Sequence, residues 1–154
     1  MRCRQRAGHD HGVLSVGVEV FSRQMSMRVN VDDPLSRRDQ ITIEDLEGRV
    51  VATPSPGAKN VDALLECCRE NGVRPKRVIH LNQMYRIFDL VAKNRGIGTH
   101  VEGLIESPLF ESDRVVSVPL EGFVYTISFS WAKGRALSDL EKRLVDFVSR
   151  RLRF

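Results

Sequence analysis

Only a few residues in this chain have the types and spacing that chemistry uses. His9, Asp10 and His11 bring two imidazoles to one side of an extended segment, but no third ligand of metal-binding type stands nearby. A leader segment without a metal is the plainer reading. Cys67 and Cys68 suggest a redox pair. Yet three cysteines make no even disulfide framework, and neighbours on a helix bridge each other poorly. Reduced thiols are therefore expected, with Cys68 on an apolar helix face as an inert core thiol and Cys67 beside it. Catalytic signatures are missing: there is no G-x-S-x-G elbow, no H-E-x-x-H, no phosphate-binding P-loop and no dinucleotide glycine fingerprint in strand–helix context. The expectation is a protein that is not an enzyme and carries no cofactor and no metal.

Composition narrows the class further. The chain has 154 residues, of which 42% are hydrophobic, enough for one domain with a core or for two small lobes. The net charge of +4 suggests nucleic acid at first, but Arg2, Arg4 and Arg6 supply three of those charges and leave +1 on residues 7–154. A near-neutral body argues against general phosphate binding, so no direct DNA contact is expected. No apolar run approaches the roughly 18 residues a membrane helix requires, and the basic start is not followed by a signal-peptide core. A cytoplasmic protein without membrane contact is the default.

The elements that must position any site follow from periodicity. Residues 1–12 read as a flexible leader. Val13–Phe21 and Met25–Val31 alternate like two strands with a turn around Arg23, and Asp32-Asp33-Pro34 stops the second. Thr42 can cap a short turn containing Glu44 and Asp45, which Gly48 closes. Val50–Pro54 then reads as a strand, followed by a helix with Val61, Leu64, Leu65 and Cys68 on one face. Val78–Leu81 and a helix with Met84, Ile87, Phe88 and Val91 repeat the unit, and Ile97–Val101 is a further strand. Strands alternating with amphipathic helices predict an α/β fold with a parallel sheet. After Pro108 the pattern changes to Val115–Leu120 and Phe123–Trp131, joined at Glu121-Gly122, with Phe123, Tyr125, Ile127, Phe129 and Trp131 sharing a core face. A last helix opens with the capping box Ser138-x-x-Glu141. It stripes Leu140, Leu144, Phe147, Val148 and Leu152 along one side, with Arg150, Arg151 and Arg153 at its negative end.

The order of these segments resembles the C-terminal effector-binding region of LysR-type transcriptional regulators. Four passages carry the resemblance: Asp33-Pro34-Leu35-Ser36 with Ile43-Glu44-Asp45-Leu46-Glu47-Gly48; Leu64–Pro75, reading LLECCRENGVRP; Leu90–Gly98, reading LVAKNRGIG; and Val118-Pro119-Leu120 through Trp131 to the final helix. Together they span roughly residues 25–150. The resemblance implies an α/β, periplasmic-binding-protein-like (type 2) architecture. Residues 13–107 then form regulatory lobe two, and residues 108–154 supply strands and the C-terminal helix of a partial lobe one. It also implies a truncated regulator, because neither the family's helix-turn-helix nor the first part of lobe one has a counterpart. His100-Val101 departs from the apolar residue and proline that the family often carries there.

In that family a small effector lies between two lobes, held by loops that precede helices, where free backbone N–H groups and the positive helix end suit a carboxylate. The matching loop is Thr53–Asn60. Here Ser55 and Asn60 offer hydrogen bonds, Gly57 permits close backbone approach and Lys59 adds charge. Asn82 and Gln83 begin the next helix. Gly96 and Gly98 stand where the chain crosses between lobes, and Thr99 or His100 would face the cleft. Each has an ordinary alternative: loop composition for Ser55 to Asn60, N-capping for Asn82, helix termination for the glycines and simple packing for His100. The function implied is an effector-sensing domain that binds a small anionic metabolite and signals through a homo-oligomer or full-length regulator subunits. The alternative is a truncated interaction module or gene remnant that pairs with full-length regulators and binds neither ligand nor DNA by itself.

Overall fold

The computed structural model of the chain describes residues 15–101, 103 and 112–151. The leader with His9 and His11, the expected boundary at residues 107 and 108, and Leu152 and Arg153 lie outside the described residues.

Alternating β-branched and polar residues make β1, Ser15–Asn30, a single strand where two were expected. Arg23 is no turn. The chain gains its bend from irregularities in pairing, between Glu19 and Phe21 and between Gln24 and Ser26. Asp33 then caps the 3-10 turn Pro34–Arg37, its side chain accepting from Leu35 N at 2.9 Å and from Arg49 Nη1 at 2.6 Å. A second 3-10 turn, Glu44–Leu46, leads into β2, Val50–Thr53. Thr42 does not cap it through its hydroxyl. Instead the carboxylate of Asp45 accepts from Thr42 N and Oγ1 at 3.0 and 3.3 Å.

Two strand–helix units follow as the periodicity predicts: α1, Lys59–Glu70; β3, Arg77–His80; α2, Met84–Ala92; and β4, Ile97–Val101. β5, Val115–Ala132, absorbs both of the last two expected strands, and α3, Asp139–Arg151, ends the described chain.

The sheet runs β3-β2-β4-β1-β5. β2 is parallel to β3 and β4, while β1 is antiparallel to β4 and β5, so the expected parallel sheet is mixed. α1 covers one face: Leu64, Cys67 and Cys68 join Met25, Met27, Val29, Val51, Ile97 and Val118 in one core. Cys67 is disulfide-bonded, which corrects the expectation of reduced thiols there, and Cys68 is the free, buried one. Burial pushes the Cys68 thiol up to about 11, so it stays protonated and inert at neutral pH.

α2 covers the other face at unusually close range. A Cβ on Gly98 would lie 2.4 Å from Ile87 Cγ2 and 3.2 Å from Val91 Cγ2. Gly98, the second residue of β4, therefore permits close helix–sheet approach. The α2 end is closed by Asn30, whose amide donates to Val91 O at 3.2 Å and Ala92 O at 2.9 Å.

β1 and β5 are long enough to outrun the rest of the sheet. β4 pairs only with Met25–Arg28 of β1, so Ser15–Gln24 and Val124–Ala132 continue as a two-stranded ribbon. Where ribbon meets sheet, residues 120–123 of β5 stand opposite Met25 alone. Gln24 holds this joint: its amide nitrogen lies 2.6 Å from Leu120 O, 3.0 Å from Phe123 O and 3.1 Å from Met25 O. Gly122, at φ 78°, takes the left-handed conformation the bulge needs. α3 rests against β1 beside this ribbon.

Candidate functional site

Parallel strands send their carboxyl ends to one edge of a sheet, and the loops that leave them open into helix N-termini; ligands in open α/β sheets bind there. In this chain that edge is formed by β2, β3 and β4. Thr53 ends β2 in register with His80, which ends β3. Thr53 Oγ1 lies 2.8 Å from His80 Nδ1 and donates to Pro54 O at 3.1 Å, while His80 Nδ1 lies 3.2 Å from the same carbonyl. This arrangement suits a proton on Nδ1 and leaves Nε2 as the ring's second polar atom. Leu81 N donates to Thr53 O at 2.9 Å and ties the two strand ends together.

Beyond them the two loops meet. Ser55 Oγ donates to Asn82 Oδ1 at 2.9 Å, joining the loop before α1 to the loop before α2. Asn82 is thus not an N-cap: Gln83 holds that position, without a side-chain cap bond. Gly57 has φ 83° and forms the left-handed turn that brings the chain back towards α1. Lys59 and Asn60 belong to the first turn of α1 and not to the loop; Ala58 caps the helix and has no side chain to do it with. The N–H groups of Val61 and Asp62 are satisfied by Ala58 O at 2.8 and 3.0 Å, ahead of which the backbone of Lys59 and Asn60 forms the exposed positive end.

Thr99 and His100 part company, because neighbours on a strand face opposite ways. The β2–β4 ladder pairs Ala52 with Gly98, so one residue further on Thr99 stands beside Thr53, on the α1 face. It is 2% exposed, and its hydroxyl has no hydrogen-bond partner among the described residues. A buried hydroxyl without a partner is costly and rare, and marks a place where a further polar group fits. His100, 8% exposed, lies on the α2 face in register with Ser26, with its Nε2 3.2 Å from Arg28 Nη2. Arg28 in turn sits over the Phe88 ring at 5.9 Å.

The structure therefore brings Ser55, Asn82 and Gln83 together at the strand ends, sets Lys59 and Asn60 on the adjoining helix turn, and sends His100 to the other side. Sequence reasoning missed His80 and did not single out Thr53. The signal was available in the two strand–helix units: the last residues of adjacent parallel strands must be neighbours. Arg28 carried no such signal.

Two further features bear on chemistry. A groove of about 450 Å³ runs along α2 past Leu81, Tyr85 and Lys93. Among the described residues no cluster of three or more His, Cys, Asp or Glu side chains has metal-binding geometry, and no helix is long and apolar enough to cross a membrane.

Comparison with known proteins places this geometry in a family. The model for the LysR substrate binding domain matches residues 10–153. The chain belongs to that family, whose members are regulatory domains. Solved structures carry the same fold at low identity. The CcmR regulatory domain of Synechocystis PCC6803, solved in complex with 2-PG, superposes with a TM-score of 0.74 at 14% identity over 95% of this chain and 71% of its own. HinK, a LysR family transcriptional regulator from Pseudomonas aeruginosa, gives 0.72 at 14% identity over 94% and 51%. The effector binding domain of QuiR, in complex with shikimate, gives 0.67 at 16% over 88% and 64%. This chain thus spans between half and seven-tenths of those chains. No curated protein matches it in sequence. The mixed sheet with helices on both faces is the periplasmic-binding-protein-like type 2 fold of LysR regulatory domains.

Proposed function

We propose that this chain senses a small anionic metabolite, taken up by the loops at the carboxyl ends of β2 and β3, and passes the signal on through contacts with other regulator subunits. The observation that carries this reading is the Ser55–Asn82 hydrogen bond, which locks two strand-to-helix loops into one polar rim beside Thr53 and His80. Around that rim stand Gly57, which lets backbone approach a ligand, Lys59 and Asn60 at the positive end of α1, and Gln83 at the start of α2. The Thr99 hydroxyl supplies a further polar group beneath it. His100, turned to the other face, bears on the site only through Arg28 and the packing of α2. The complexes of related regulatory domains with 2-PG and with shikimate support a small-molecule ligand for this fold. In this reading residues 13–107 form the effector lobe and residues 108–154 the strands and helix that couple it to the remainder of a regulator. The chain acts in the cytoplasm, without catalysis and without touching DNA itself.

The test is thermal stabilisation by a panel of small carboxylates and phosphates that includes shikimate and 2-PG. A ligand present at a hundred times its Kd adds about 2.7 kcal/mol to folding and raises the melting temperature by several degrees. Ser55→Ala combined with Asn82→Ala is expected to abolish that rise. A rise of unchanged size in the double variant would overturn the assignment.

A second reading, an interaction module that works by pairing, is favoured by one observation: α3 leaves Leu140, Leu144 and Phe147 exposed.

A further inference from the structure

β3 stands at one end of the sheet, so one of its edges is unpaired among the described strands. In a parallel ladder each residue sends its N–H and C=O to the same side, and alternate residues bond to the same neighbour. Arg77 N donates to Arg49 O at 3.4 Å and Leu81 N to Thr53 O at 2.9 Å, both on the β2 side. The backbone groups of Val78 and His80 therefore point away from β2, along the free edge. Side chains alternate as well. Val51 lies in the core under α1 and its register partner Val78 shares that face, so Arg77 and Ile79 turn to the α2 face.

α2 runs beside this edge. Ile87 packs on Gly98 of β4 and Phe88 lies under Arg28 of β1, so the opposite flank, with Arg86 and Leu90, is turned to β2 and β3. Leu90 reaches the first residue of β2: a Cβ on Gly96 would lie 3.1 Å from both Leu90 Cδ2 and Val50 Cβ. Along that flank runs the groove lined by Leu81, Tyr85, Arg86, Leu90, Lys93 and Arg95. Its length suits a strand, because the nine residues of α2 rise about 13 Å and the four of β3 extend about 13 Å. Its charge is positive. Lys93 is paired with Asp89 at 2.7 Å, but Arg77, Arg86 and Arg95 form no ion pair among the described residues. Arg77 and Arg95 flank the start of β2: Val50 is the register partner of Arg77, and its carbonyl oxygen lies 2.6 Å from where a Cβ of Gly96 would be.

We infer that the β3 edge is a docking site for an acidic segment of another protein, which adds to the sheet as a further strand and sets its carboxylates against Arg77, Arg86 and Arg95. The unpaired edge supplies main-chain hydrogen bonds, and the groove beside it supplies selectivity. Charge disfavours a second copy of the same edge as the occupant, because antiparallel pairing about Val78 and Ile79 brings two basic grooves side by side. The inference stands apart from the ligand reading, since none of these arginines belongs to the Ser55–Asn82 rim. Fluorescence anisotropy of the labelled peptide Gly-Glu-Val-Glu-Val-Glu-Gly with the 154-residue chain tests it. Saturable binding is expected, weakening as salt rises. Arg77→Glu or Arg95→Glu lowers the affinity by about tenfold or more. A peptide with Pro in place of both Val keeps the charges but loses strand hydrogen bonds, and binds about tenfold more weakly. Val78→Pro removes an outward N–H from the chain itself and weakens binding in the same way, with an unchanged circular dichroism spectrum. The proline peptide makes the same test on the unaltered chain. Absence of saturable binding to the Glu–Val peptide, equal affinity for the proline peptide, indifference to both Arg77→Glu and Arg95→Glu, or tighter binding of a single-stranded oligonucleotide of the same charge would each overturn the inference.

Discussion

Asn30 shows how much structure one buried polar side chain can hold. It is almost fully buried, yet both ends of its amide are used: the nitrogen donates to the last carbonyls of α2, and the oxygen accepts from Asp32 N at 3.0 Å where the chain leaves β1. Asn30→Ala strands the Ala92 carbonyl and a turn N–H, while Val91 O keeps the N–H of Asn94, and is expected to cost about 1–3 kcal/mol in urea denaturation. Asn30→Asp keeps the acceptor but turns the donor into a second acceptor, so it gives no rescue. Gly98 makes the opposite case, of a residue needed for what it lacks. Gly98→Ala forces a methyl into Ile87, and should cost about 1–3 kcal/mol as α2 lifts from the sheet. A melt as stable as the wild type would show that α2 moves freely on the sheet. Neither role was legible in the sequence. Asn30 read as a residue of the strand that Asp32-Asp33-Pro34 stops, and Gly98 as half of a glycine pair at a lobe crossing or a helix end. Both depend on contacts made by residues more than ten positions away.

At the scale of elements the sequence was informative where local chemistry decides and silent where pairing does. Strand–helix units from Val50 to Val101 were legible because apolar spacing changes from two to three or four at each boundary. The Ser138–Glu141 capping box forms as read: Ser138 N and Oγ donate to Glu141 Oε2 at 2.8 and 2.9 Å, and Glu141 N donates to Ser138 Oγ at 3.3 Å. The Ser138 backbone N–H, then its hydroxyl and Arg135, hold the Glu141 carboxyl below its ordinary range. Its folded-state value is therefore lower than its unfolded one. The stabilisation is complete above an unfolded value of about 4.3 and is lost as the pH falls through the folded one. The protection of amides in the first turn of α3, corrected for the slower intrinsic exchange at low pH, should fall between pH 5 and pH 3 more than in α1, which has no such cap; an equal fall in both helices would contradict the cap's role. By contrast, the merging of four expected strands into β1 and β5 was not legible, because Arg23 is paired within β1 between two irregularities and the break read at Glu121-Gly122 is a bulge. Gln24 bridges them with three carbonyls, and Gln24→Ala should raise amide exchange in residues 120–125 without unfolding the body of the sheet. Unaltered exchange there would mean that the joint is held by the backbone alone.

For the whole molecule, the two long strands divide the labour. Their inner halves complete a sheet sandwiched by α1 and α2, which presents the strand ends and loops where a ligand is proposed. Their outer halves form a ribbon against which α3 rests, with its own apolar stripe turned outward. Membership of the LysR substrate-binding family was legible from four passages in order, because their sequence along the chain follows the order of the fold's turns, helix ends and last long strand. The candidate site was legible only in part. Ser55 and Asn82 could be read as loop residues, but that they bond to each other, that His80 joins Thr53, and that His100 leaves for the other face follow from strand register.

The central claim is that a small anion binds at the rim formed by Ser55, Gly57, Lys59, Asn82 and Gln83. Its most direct test is an amide NMR titration of the isotopically labelled chain with whichever panel compound raises the melting temperature. The account predicts saturable shifts centred on the amides of residues 55–60 and 81–83, carried to Thr99 beneath them, and no shifts of comparable size along α3. Shifts confined to the groove along α2 at Tyr85 and Lys93, with residues 55–60 unmoved, would contradict it.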